Sequence, residues 1–154
     1  MCQRLYLASR TELPTVERGP DSPRLRVKPL SAAASGVRRW FSREAKYFAE
    51  AYGSSPSDCG CGFPEVSERP DERPVDPGDE EAVRALATYL ESTQARKGVA
   101  EVLLCWVGDE NDPPLHRREV DLAILRAPGF RFRRGEILRF RSRARGPLAG
   151  RRRP

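Results

Sequence analysis

Val99-Ala100-Glu101-Val102-Leu103-Leu104-Cys105-Trp106-Val107 is the most apolar run of the chain. It reads as the central strand of a sheet, and the rest of the chain must pair with it or cover it. Alternation places Leu103, Cys105 and Val107 on one face. Immediately upstream, Asp76 is a helix N-cap with Pro77 at the first helical position, and Asp79 completes a capping-box-like pattern. Val83, Leu86, Ala87 and Leu90 repeat at helical spacing behind it. Arg96 and Lys97 suit the negative end of this helix, and Gly98 the left-handed residue beyond it.

Farther from the centre the elements are shorter. Gln3–Ser9 reads as a strand with Leu5 and Leu7 on one side and Tyr6 and Ala8 on the other. Arg24–Lys28 reads as a half-exposed strand, and Ser31–Phe41 as a short helix with Val37, Trp40 and Phe41 as its apolar face. Ala45–Tyr52 fits a strand, with a helix as the competing reading. Downstream, Gly108–Leu115 is an acidic turn, and Arg118–Leu125 is a strand or a strand running into a helical turn. Phe130 and Phe132, followed by Gly135 and then Glu136–Phe140, resemble a hairpin with its apolar residues inward. The expected fold is α+β: one small domain over residues 1–141, with a mixed β-sheet, helices packed on one face and long loops.

Composition limits the functions available. The chain has 154 residues, enough to bury a core without disulfides, and 32% of them are charged. Pro64–Pro77 holds four prolines and five acids and is expected to be a flexible excursion. Net charge is +6, but residues 139–154 hold seven arginines and no acid, so residues 1–138 stand at −1. The basic character therefore belongs to the tail, and residues 142–154 are expected to be disordered. Arginine makes up 25 of the 28 basic residues, as a GC-rich coding sequence would dictate. Nucleic acid is expected to bind at most nonspecifically, through that tail, because no aromatic residues interleave with it. No apolar run is long enough for a membrane span, and Leu5–Ala8 is too short for a signal-peptide core. The default address is cytoplasmic, where Cys2, Cys59, Cys61 and Cys105 are expected to be reduced.

The unusual local feature is Cys59-Gly60-Cys61-Gly62-Phe63. Two thiols one residue apart, on a backbone freed by glycine, can turn toward one soft metal ion such as zinc. The same pair can instead act as a redox-sensitive couple. A full zinc site needs more ligands, to be drawn from Cys2, Cys105 or His116. Asp58, Asp109, Glu110 and His116 are the candidate polar shell, although Gly108–Asp112 also reads as a solvated turn and His116 as a lone surface histidine. Cys105 reads as a buried structural cysteine that could approach Cys2 if residues 3–9 face it. Removal of Met1 would free the Cys2 amine, giving the nucleophile-and-base unit of an N-terminal-cysteine hydrolase. Enzymes of that kind open Met-Cys-Gly, whereas this chain opens Met1-Cys2-Gln3. The main alternative to the thiol site is a non-enzymatic module that docks a partner protein, with the hydrolase as a further one. No phosphate-cradling or nucleophile-elbow motif is present.

Met1-Cys2-Gln3-Arg4-Leu5-Tyr6-Leu7-Ala8-Ser9, the CGCGF segment 59–63, and Cys105-Trp106 leading to Gly108-Asp109-Glu110 resemble a family of small uncharacterised bacterial proteins. That family opens MCxxLYLAS and carries an internal CGCGF. No activity is assigned to it, so the resemblance implies only that Cys2, the CGCG loop and the GDE turn belong to one site.

Overall fold

A computed structural model describes residues 2–20, 24–53, 62–66, 75–94 and 99–141. The segments 54–61, 67–74 and 142–154, which hold Asp58, Cys59, Cys61 and most of the proline-rich and arginine-rich stretches, lie outside the described residues, as do Arg96, Lys97 and Gly98.

Six strands form one mixed sheet: β1 (Gln3–Ser9), β2 (Arg26–Pro29), β3 (Tyr47–Tyr52), β4 (Val99–Trp106), β5 (His116–Val120) and β6 (Glu136–Arg141). Their order across the sheet is β2-β3-β1-β4-β6-β5. β1 and β4 are the antiparallel central pair, with Leu5 opposite Leu104 and Leu7 opposite Val102. The α+β expectation holds, and the apolar run lies at the heart of the sheet.

The period-2 pattern of β1 divides the interior in two. Leu5 and Leu7 join Val102, Leu104, Leu138 and Phe140 on one face, against the helix α1 (Pro77–Gln94). Val83, Leu86, Ala87 and Leu90, the helically spaced set, are all buried there. The helix starts as its sequence dictates: Asp76 Oδ1 accepts from the Gly78 N–H at 2.7 Å, and its carbonyl accepts from Glu80 N–H at 3.0 Å. Tyr6 and Ala8 face the other way, into a smaller cluster with Leu103, Cys105 and Ile137. Ala34, Val37 and Phe41 cover this cluster from a 3-10 helix, Ser35–Trp40, and its two flanking residues. Helical segments thus lie on both faces rather than one, because both faces of the central strands are apolar and each needs cover.

The expected hairpin of residues 130–140 does not form. Phe132 makes only an isolated parallel bridge, to Glu65, with its N–H donating to Pro64 O at 2.8 Å. β6 pairs antiparallel with β4 and parallel with β5. Parallel neighbours need a crossover, and residues 121–135 supply it, including a 3-10 helix at Leu122–Arg126. The alternating phenylalanines reflect ring packing instead of a ladder. Phe130 meets Phe132 edge to face at 5.0 Å, and Phe132 meets Phe63 at 5.9 Å. This aromatic row holds Phe63, and with it the residues just beyond the CGCG segment, against the main core.

Candidate functional site at one end of the sheet

The strand directions bring the chemically interesting residues to a common end of the sheet. β1, β5 and β6 begin there, and β3 and β4 finish there. Cys2 precedes β1 and is exposed. Its carbonyl accepts from the Val107 N–H at 2.9 Å, which ties it to the end of β4 and the turn that follows.

That turn is well anchored. Gly108 has φ +110°, a conformation that favours glycine. Glu110 Oε2 accepts from the Gly108 N–H at 2.8 Å, and Oε1 from the Tyr6 hydroxyl at 2.7 Å. The Trp40 indole N–H donates to the Glu110 carbonyl at 3.0 Å. Arg39 donates to Asn111 Oδ1 at 2.6 Å, so the 3-10 helix over the second face is clamped to the turn. Burial, then the hydrogen bond to Glu110, pushes the Tyr6 hydroxyl above its ordinary pKa, keeping it a donor at neutral pH.

Cys105 sits opposite Arg4 on β1 and is buried. It lines a cavity of about 140 Å³ with Asp109, Asp112, Leu115 and Arg134. Burial, reinforced by Glu110 and Asp109, pushes its thiol up to about 12. With that pKa about one Cys105 thiol in ten thousand is ionised at pH 8, so it is a poor nucleophile and a poor metal ligand. Alkylation of the folded protein with iodoacetamide at pH 8 is therefore expected to label Cys2 and leave Cys105 unmodified until denaturant is added. Equal labelling of the two, read by peptide mass spectrometry, would contradict a buried thiol.

Gly53 and Gly62 flank segment 54–61 in the sequence. Gly53, one residue past β3, lies so close to Gly62 that a Cβ on Gly53 would be 2.3 Å from the Gly62 carbonyl oxygen. Gly53 and Gly62, the residues on either side of segment 54–61, are therefore in close contact. Arg18 Nη2 donates to the Gly53 carbonyl at 2.6 Å. The Gln3 side-chain amide donates to Glu65, linking the residue after Cys2 to the chain just beyond Gly62. Arg134 joins the group, 3.7 Å from Glu65 Oε1, with its guanidinium 5.4 Å from the Trp106 ring centroid.

No family model, curated protein or solved structure matches the chain. The site is therefore read from its own chemistry.

Cys2, Cys105, Asp109 and Glu110 are neighbours at the end of the central pair, as are Gly53 and Gly62, the anchors of the CGCG segment. His116 is not among them. It is exposed at the start of the edge strand β5, three strands from β1, or about 14 Å at ~4.8 Å per strand. Among the described residues, no group of three or more His, Cys, Asp and Glu side chains is placed to hold a metal ion. Sequence reasoning missed the acceptor role of Glu50 and the Tyr6–Glu110 contact. Tyr6 and Glu110 lie 104 residues apart, and Glu50 gathers Ser31 from 19 residues away as well as its near neighbour Tyr52, so neither carries a local signature.

Proposed function

We propose that this end of the sheet is a soft-metal site in which Cys59, Cys61 and Cys2 supply thiolates to zinc. The observation that supports the reading is the contact of Gly53 with Gly62, the residues flanking segment 54–61, together with the Gln3 to Glu65 hydrogen bond next to Cys2. Eight residues separate those two glycines, and they carry both cysteines. A short segment closed at its base loses little further entropy when its thiols gather on an ion. Three thiolates leave a fourth position for water or for the Asp109 carboxylate. Glu110 is already engaged by Tyr6 and Gly108, and Cys105 is held as a thiol. Asp58 belongs to the polar shell by its position in the sequence, and His116, at the start of β5, is its outlying candidate.

The test is elemental analysis of untagged protein purified under reducing conditions. The wild type is expected to carry about one zinc per chain. The Cys59→Ser/Cys61→Ser variant should carry none while keeping its circular dichroism. Structural zinc sites are worth ~10–16 kcal/mol over four ligands, so Cys2→Ser is expected to weaken zinc binding about a hundredfold. Metal-free wild type, or metal retained in the double variant, would remove the proposal. In the first case, faster thiol labelling of residues 59 and 61 than of Cys105 would leave the same pair as a redox couple.

A further inference from the structure

The cavity of about 140 Å³ beside Cys105 is polar on one side only. Leu103 and Cys105 line it from β4, at 3% and 6% exposed, and Pro113, Pro114 and Leu115 line it from the turn. Among the described residues, no hydrogen bond engages the Cys105 thiol, so a buried, neutral sulfur faces the space. Asp109 and Asp112 supply the polar side, and among the described residues neither carboxylate has a hydrogen-bond or ion-pair partner. The neighbouring acids are occupied: Glu110 holds Tyr6 and Gly108, and Glu65 holds Gln3. Arg134 also borders the cavity, but its guanidinium stands 3.7 Å from Glu65 Oε1 and over the Trp106 ring, so its charge is already balanced. Two uncompensated negative charges therefore face an apolar lining.

We propose that this cavity binds a small organic cation, a primary amine carried on an apolar body the size of one six-membered ring. The charge follows from Asp109 and Asp112, whose carboxylates would accept from the ammonium group. An inorganic ion fits poorly, because a hard divalent cation takes six or more oxygen ligands and the rest of the lining is carbon and sulfur. The size follows from the volume, since a void of about 150 Å³ takes one benzene ring. Sulfur makes favourable contacts with aromatic rings, which suits Cys105 as part of the ring's bed. Leu115, 74% exposed at the cavity, would lose water-facing apolar surface to the ligand. The site shares Asp109 with the polar shell of the proposed zinc centre but uses none of its thiolates, so it stands or falls separately.

Benzylamine, protonated at neutral pH, is the probe, titrated into the isotope-labelled full chain while amide NMR spectra are recorded. Saturable shifts are expected at Leu103, Cys105, Asp109 and Gly135, with a dissociation constant on the order of 1 mM for so small a ligand. Asp109→Asn and Asp112→Asn are each expected to weaken binding about tenfold, and benzyl alcohol, the same shape without the charge, should bind to wild type at least about tenfold more weakly. The titration is repeated with EDTA and should give the same constant. No saturable shift up to roughly 20 mM benzylamine would overturn the inference, as would shifts that avoid the cavity residues. Benzyl alcohol binding as tightly as the amine, or both asparagine variants binding like wild type, would remove the carboxylates from the site. Binding that disappears with EDTA would make a metal ion the receptor in place of the cavity.

Discussion

Glu50→Ala is expected to cost about 3–5 kcal/mol of folding stability, close to the whole margin of a small domain. Glu50 is 3% exposed on β3, on the sheet face opposite α1. Its Oε1 accepts from the Ser31 backbone N–H at 3.0 Å and the Ser31 hydroxyl at 2.6 Å, and its Oε2 accepts from the Tyr52 hydroxyl. Arg4 Nη1 stands 3.6 Å away. Truncation leaves these groups in a partly dry site without their acceptor, which costs more than the bonds themselves contribute. The same carboxylate makes stability depend on pH. Burial by itself raises its pKa, but hydrogen bonds from Ser31 and Tyr52, with Arg4 nearby, outweigh burial and hold it below the usual value. Its contribution is therefore fully present above the unfolded pKa of ~4.3 and is lost as pH falls through the lower folded value. Urea midpoints of wild type should drop between pH 6 and pH 3 more steeply than those of Glu50→Gln. Parallel curves would mean that the carboxylate is not the titrating group.

Gly53→Ala is the second large effect, and it joins stability to the proposed metal site. The new Cβ would stand 2.3 Å from the Gly62 oxygen and 2.5 Å from its carbonyl carbon. These are backbone atoms, which cannot swing aside as a side chain could, so the base of the CGCG segment must open. Overpacking of this kind costs about 1–3 kcal/mol. If Cys59 and Cys61 share an ion with Cys2, zinc affinity falls as well. Gly19→Ala is the control, since nothing lies within 4 Å of the added Cβ. Titration with a chromogenic chelator, run beside denaturant unfolding, separates the effects. Unchanged zinc affinity in a destabilised Gly53→Ala would argue that Cys2 is not a ligand.

Much of the fold was legible because several elements declare themselves locally. The apolar run 99–107 could hardly be anything but a central strand, and only its last residue, Val107, falls outside β4, at 46% exposed. The Asp76 cap and the Val83, Leu86, Ala87, Leu90 spacing specified α1. The alternation of Leu5 and Leu7 with Tyr6 and Ala8 matched two separate core clusters. What failed was pairing at long range. Phe130 and Phe132 alternate like a strand, yet their rings answer to Phe63, nearly seventy residues earlier, and not to a neighbouring ladder. The candidate site behaved likewise. The CGCG segment is conspicuous in the sequence, whereas the placing of Gly53, at the end of β3, beside the start of β1 depends on β1 lying between β3 and β4.

That placement of β1 also sets a timetable for synthesis. β1 can pair with β3 once residue 52 has left the ribosome, but its other edge waits for residues 99–106. During the few seconds in which residues 53–98 are made, that edge of β1 stands open with no strand of its own to receive. Gln3 can meet Trp106 only after 103 further residues have been made, so the central pairing cannot form before most of the chain exists. The proline-rich middle of the chain, whatever else it does, sets how long the nascent protein is exposed to pairing with the wrong strand.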